Sequence, residues 1–135
     1  MAKIKNVLEI GYPYPCNVRY EYSSETNSYL RWRGGRPEID KLTGKQVEAK
    51  NIVIMKVFSR QLEQEYNDLD VEGEGMAMIY RNGEEINGTW KKNKSNLSSK
   101  LYFLDKTVKE IEFVPGQIWI EMVEPYQRVE YKISN

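Results

Sequence analysis

The chain has 135 residues, of which 40% are hydrophobic, 12% aromatic and 30% charged. That length suits one domain with a real core, and the composition excludes a disordered chain. Twenty Lys/Arg balance twenty Asp/Glu, so net charge gives no pointer to nucleic acid or membrane; the lack of histidine removes the commonest general base and the usual zinc ligands, and a single cysteine, Cys16, excludes an internal disulfide.

Taken in order, the chain reads as β almost throughout. "KNVLEI" is a first strand, and Pro13 and Pro15 make "GYPYP" an extended segment outside any ladder. "NVRYEY" alternates, with Val18, Tyr20 and Tyr22 on one face and Arg19 and Glu21 on the other. After the turn cluster "SSETNS", "YLRWR" alternates again. This alternation predicts Leu30 and Trp32 in the core and Tyr29, Arg31 and Arg33 outside. Gly34-Gly35 is a hairpin loop, because glycine tolerates the positive φ of primed turns, and Pro37 marks the returning strand as an edge. "NIVIMKVF" is apolar on both faces and reads as a central strand. "SRQLEQEYN" is the one segment with a short-helix pattern. "DLDVEGEGMAMIYR" reads as a long or bent strand, Asn82-Gly83 is the strongest hairpin signal in the chain, and "EEINGTW" returns from it. "KLYFLD", "EIEFV", "QIWIEMV" and "RVEYKI" complete the strands, with a turn at Pro115-Gly116. Nine to eleven short strands at regular spacing predict an all-β or mainly β fold, an antiparallel barrel or sandwich of hairpins, in one domain over residues 1–135.

The order of motifs carries a resemblance. "VRYEYSSETNSYLRWRGGRPEIDKLTGKQVEAKNIVI", "GEGMAMIYRNGEEINGTWKK" and "FVPGQIWIEMV" follow one another as hairpin, Thr-Gly turn, Ala-x-Asn strand, Gly-x-Gly hairpin, Gly-Thr-Trp and Pro-Gly-Gln-x-Trp-Ile-Glu. Over about residues 17–123 this resembles the C-terminal domain of the YerB-like bacterial lipoproteins, a family of unknown function. The resemblance implies a domain at the extracellular side of the cell envelope, carried by a lipoprotein whose N-terminal domain is its partner. It supplies no catalytic residues. Cys16 follows "GYPYP" rather than an apolar leader, so it does not read as a lipid-bearing cysteine, and the tail 124–135 runs beyond the family's usual final motif. No apolar run approaches the length of a membrane span.

Several constellations carry chemistry. Charge is blocked along the chain: residues 61–85 hold one Arg against eight acids, and 86–110 hold six Lys against two. Such blocks either form signed patches or pair across neighbouring strands. Asp68, Asp70, Glu72 and Glu74 echo a calcium loop, but its twelfth position is Ile79, so the ligand set is incomplete and neither metal nor cofactor is expected. "TWKKNKSN" joins Trp90 to Lys91, Lys92 and Lys94, a pattern that suits single-stranded nucleic acid but more often marks a core tryptophan beside a solvated loop. Asp40, Asp70, Glu72 and Glu121 are the acids open to a glycosidase-like carboxylate pair. Glu121, between Trp119 and Val123, fits a half-buried acid with an arginine or amide partner. The preferred surface is Arg19, Tyr29, Arg31 and Arg33, planar cations and an aromatic suited to an anionic cell-wall polymer or a protein partner. The expected function is a non-enzymatic binding or scaffolding module. An envelope polysaccharide hydrolase and a nucleic-acid-binding β domain are the alternatives.

Overall fold

The computed structural model describes residues 5–58, 73–92 and 100–134. Among them are eleven strands: β1 (Lys5–Ile10), β2 (Val18–Ser23), β3 (Ser28–Arg33), β4 (Arg36–Pro37), β5 (Glu48–Ala49), β6 (Asn51–Lys56), β7 (Gly73–Arg81), β8 (Glu84–Lys92), β9 (Leu101–Leu104), β10 (Ile118–Val123) and β11 (Val129–Ser134). They form two sheets. The first has the order β11-β1-β2-β3-β4, with β5 also paired to β3, and the second has the order β10-β6-β7-β8-β9. The architecture is therefore an all-β sandwich rather than a closed barrel. Every pair is antiparallel except β10 with β6, which run parallel.

Turn chemistry sets the hairpins where the sequence places them. Asn82 and Gly83 have φ of 52° and 74°, and Gly34 and Gly35 have 60° and 78°, so each pair makes the primed turn that matches strand twist. The first hairpin pairs Arg81 with Glu84 and the second pairs Arg33 with Arg36. The chain changes sheets at Lys50, between β5 in the first sheet and β6 in the second.

Two apolar cores result. Leu8, Ile10, Val18, Tyr20 and Tyr29 of the first sheet meet Ile52, Ile54, Tyr80 and Val123 of the second. On the far face of the second sheet, Val53, Met55, Ala77, Ile79, Trp90 and Phe103 pack with Ile111 and Phe113 from the β9–β10 connection. β6 contributes to both cores, which is why its apolar run is continuous. Trp90 is fully buried and its Nε1 donates to the Lys56 carbonyl at 2.8 Å. A Cβ on Gly75 would lie 2.6 Å from that Nε1, so the glycine makes room for the indole.

One expected strand is absent. Glu110 makes a single bridge to Leu104, and residues 111–114 continue as an irregular strap. The buried Asn51 side chain explains this. Its Oδ1 accepts the Val114 N–H at 2.9 Å, and its Nδ2 donates to the carbonyls of Val114 at 2.8 Å and Gln117 at 3.2 Å. A side chain thus satisfies backbone groups that a neighbouring strand otherwise would. The segment "SRQLEQEYN" and the acids Asp68, Asp70 and Glu72 lie outside the described residues.

Candidate functional site

Register overturns the face expected for β3. Tyr22 lies opposite Tyr29, Tyr20 opposite Arg31 and Val18 opposite Arg33. Directly opposed residues share a face of the sheet. Val18 and Tyr20 are core residues, so Tyr29 and Arg31 turn inward with them and Leu30 and Trp32 take the outer face. Tyr29 is only 1% exposed; its hydroxyl oxygen accepts the Gly83 N–H at 3.0 Å, and its ring lies 5.0 Å from that of Tyr22. Arg31 is only 8% exposed. The four residues Arg19, Tyr29, Arg31 and Arg33 therefore do not form one solvent-facing surface.

Arg31 instead anchors a charged cluster between the sheets. Its guanidinium donates to Glu121 Oε1 at 3.2 Å and pairs with Glu38, and it sits 4.5 Å from the Trp119 ring centroid. The Tyr20 hydroxyl donates to the same Glu121 oxygen at 2.6 Å. Burial pushes the Tyr20 hydroxyl far above its ordinary value, and the neighbouring Glu121 charge adds to this. Burial alone would lower Arg31, but Tyr20, Glu121 and Glu38 outweigh it and the guanidinium is held charged. The Arg31 backbone is bound as tightly: its N–H donates to the Val47 carbonyl, and its carbonyl accepts from the Glu38 N–H and from Gln46 Nε2 at 2.8 Å. The half-buried Glu121 with an arginine partner is what its position between Trp119 and Val123 predicts. Chemically the cluster is a cation clamped by two carboxylates, and it ties β10 of one sheet to β2 and β3 of the other.

The outer face holds the other arginine. Arg19 lies opposite Trp32, with its guanidinium carbon 4.6 Å from the indole centroid, and it pairs with Glu21 at 2.8 Å. Glu21 thus neutralises Arg19 rather than an arginine of β3. At the same end of the first sheet, Arg33 and Arg36 flank the Gly34-Gly35 turn, and Arg33 is 53% exposed and 3.8 Å from Glu38. The backbone carbonyl of Arg128, just before β11, accepts the Gly11 N–H at 2.9 Å. A cavity of about 200 Å³ opens there, lined by Asn17, Arg19 and Arg128 with Glu9 and Glu130. Glu9 and Glu130 are directly opposed across β1 and β11, and Lys132 bridges them at 3.6 Å and 3.2 Å. Hydrogen bonds from Arg128 first, and then Lys132, hold the Glu130 carboxyl below the usual carboxylate range. Sequence reasoning passed over Arg36, although it follows Arg33 across the expected Gly34-Gly35 turn, and missed Arg128 because it lies far along the chain from both. The pairing of β11 with β1 brings Arg128 to the end of the sheet where the β3–β4 hairpin holds Arg33 and Arg36.

The remaining candidates resolve as follows. Trp90 belongs to the core, and Lys91 beside it is exposed and stands opposite Glu74 in the β7–β8 ladder, so at that point the acidic and basic blocks meet across strands. Lys94 lies outside the described residues. Among the described residues no group of three or more His, Cys, Asp or Glu could hold a metal, and no helix is long and apolar enough to cross a membrane. Cys16 is exposed. The tail places β11 beside β1 at the edge of the first sheet.

Comparison with known proteins agrees with this architecture. Residues 8–120 match the family described as "Protein of unknown function (DUF3048) C-terminal domain". Over 107 residues the chain is 30% identical to "Putative lipoprotein YerB" of Bacillus subtilis (strain 168), an alignment spanning 78% of this chain and 31% of that protein. The crystal structure of the Bacillus subtilis YerB protein superposes with a TM-score of 0.69 at 25% identity, covering 93% of this chain and 43% of the crystallised one. The chain thus spans about a third of the length of its curated relative. Because that family's description fits residues 8–120, most of the chain, and the sandwich fold agrees with the related crystal structure, the chain belongs to the DUF3048 C-terminal domain family.

Proposed function

We propose that this domain is a non-enzymatic binding or scaffolding module of a bacterial cell-envelope lipoprotein, working on the extracellular side and recognising an anionic cell-wall polymer. The observation that carries this reading is the arginine-bearing end of the first sheet, where Arg19 and Arg128 line one cavity and Arg33 and Arg36 flank the adjacent turn. Planar guanidiniums match phosphate and carboxylate groups with paired donors, and Arg19 is already oriented by Trp32. Of the four residues first singled out, Arg19 and Arg33 stay in this reading, Tyr29 and Arg31 leave it, and Arg36 and Arg128 join.

The hydrolase alternative draws less support. A glycosidase needs one carboxylic acid kept protonated near neutral pH. Glu130, the cavity carboxylate opposite Glu9, is shifted the other way, and Glu38 and Glu121 are both engaged with Arg31. The test is titration with poly(glycerol phosphate) at rising salt. Binding that weakens with salt and falls at least about tenfold in an Arg19→Ala/Arg128→Ala variant supports the proposal, since exposed ion pairs are screened. Equal binding by that variant, or release of fragments from a wall polysaccharide, overturns it. A single-stranded oligonucleotide that competes as well as the polymer points instead to nucleic acid.

A further inference from the structure

Among the described residues the sandwich has four sheet margins, one of them shared by β4 and the two-residue β5, and three carry the devices that natural sheets use against pairing. At one end of the first sheet, β11 bears Glu130 and Lys132 with Arg128 just before it. At the other end, β4 is two residues long and contains Pro37. In the second sheet, β9 is four residues long and its edge is covered by the chain turning back on it: the Ile111 N–H donates to the Phe103 carbonyl and the Asp105 N–H to the Lys109 carbonyl.

The fourth edge, β10, has none of these. Its six residues, Ile118-Trp-Ile-Glu-Met-Val123, contain no lysine, arginine, proline or glycine, and their one charge, Glu121, is spent on Arg31 and Tyr20. Register shows which backbone groups face outward. The Asn51 N–H donates to the Gln117 carbonyl and the Val57 N–H to the Val123 carbonyl, so the odd-numbered residues of β10 bond to β6. The N–H and C=O groups of Ile118, Ile120 and Met122 consequently point along the sheet away from β6. Among the described residues no strand pairs with that side.

We propose that the β10 edge is a strand-docking site, filled by an extended segment from the remainder of the longer protein to which this domain belongs. The proposal rests on the scaffolding reading above and gives it a partner. The related Bacillus subtilis protein is about three times as long as the matched region, and in its crystallised chain the matched portion is 43%. A tethered segment reaches an edge at high effective concentration, and main-chain bonds supply the affinity.

Amide exchange, read residue by residue, tests this in the 135-residue chain and in the full-length protein. The amides of Ile118, Ile120 and Met122 should exchange quickly in the short chain and at least tenfold more slowly in the long one. Ile118→Pro removes one outward N–H at a half-exposed position, and in the full-length protein it should restore fast exchange at Ile120 and Met122. Continued protection of the β6-facing amides of Trp119 and Glu121 would show that the variant still folds. Equal exchange in both lengths overturns the proposal. So does protection in the short chain that grows with concentration, which marks a second copy as the occupant. Because the polymer titration reads Arg19 and Arg128 instead, the two proposals fail separately.

Discussion

Arg19 and Arg31 sit on adjacent strands, and each meets an aromatic ring and a carboxylate, yet they belong to opposite faces. Arg19 has a side chain one-third exposed, stacked on Trp32 in reach of water and paired with Glu21. Arg31 is sealed between the sheets, against Trp119 and between Glu38 and Glu121. Surface pairs of the first kind contribute little to stability because solvent screens them. Removing one member of a buried set strands a charge that water cannot reach. The same residue type is therefore a candidate recognition group on one face and a structural clamp on the other, and burial alone decides which.

The largest test of this contrast acts on the whole inner face. Burial holds the hydroxyls of Tyr20, Tyr29 and Tyr80 far above their ordinary value of 10.0. A folded-state pKa raised above the unfolded one gives stability that is fully present below pH 10 and lost as pH rises beyond it. The domain should therefore unfold cooperatively in alkali, with tyrosinate absorbance rising in step with the loss of structure. Gradual, independent titration of all tyrosines would place these hydroxyls in solvent.

Next in size is Arg31→Ala, which should cost about 3–5 kcal/mol in urea unfolding because Glu121 is left buried and unpaired. An Arg31→Met/Glu121→Gln double variant should recover most of that loss, since it removes the stranded charge as well. If the double variant is no more stable than Arg31→Ala, packing rather than charge is what Arg31 supplies.

Tyr20→Phe isolates the hydrogen bond to the Glu121 carboxylate and should cost about 1.5–3 kcal/mol. Arg19→Ala should be the mildest of the series, within about 1 kcal/mol in stability, while still weakening polymer binding. Comparable unfolding midpoints for Arg19→Ala and Arg31→Ala would erase the distinction between the two faces.

Much of the fold was legible in the chain because its signals are local. The two primed turns rest on Asn-Gly and Gly-Gly pairs, and the two-sided apolar run of β6 marks a strand covered on both faces. Where the reading failed, the deciding partner was remote. The expected strand at Glu110–Val114 gives way because Asn51, more than sixty positions away, occupies the Val114 backbone. For β3, alternation separates Tyr29, Arg31 and Arg33 from Leu30 and Trp32 but does not say which set turns inward. Hydropathy favours Leu30 and Trp32. The pairing Tyr20↔Arg31 reverses that choice, because β2 had already committed Tyr20 to the core.

The sequence by itself determined the class of fold, its turns, its family and the absence of histidine chemistry and of a disulfide within the 135 residues. All of these follow from residue identity and short-range spacing. Only the tertiary structure decided which arginine is a clamp and which is presented to solvent, and that Arg128 stands at the same end of a sheet as Arg19, Arg33 and Arg36. Those outcomes depend on which strands pair and in what register. A carboxylate ninety residues away can make an inward-facing arginine stable, and spacing along the chain does not record that contact.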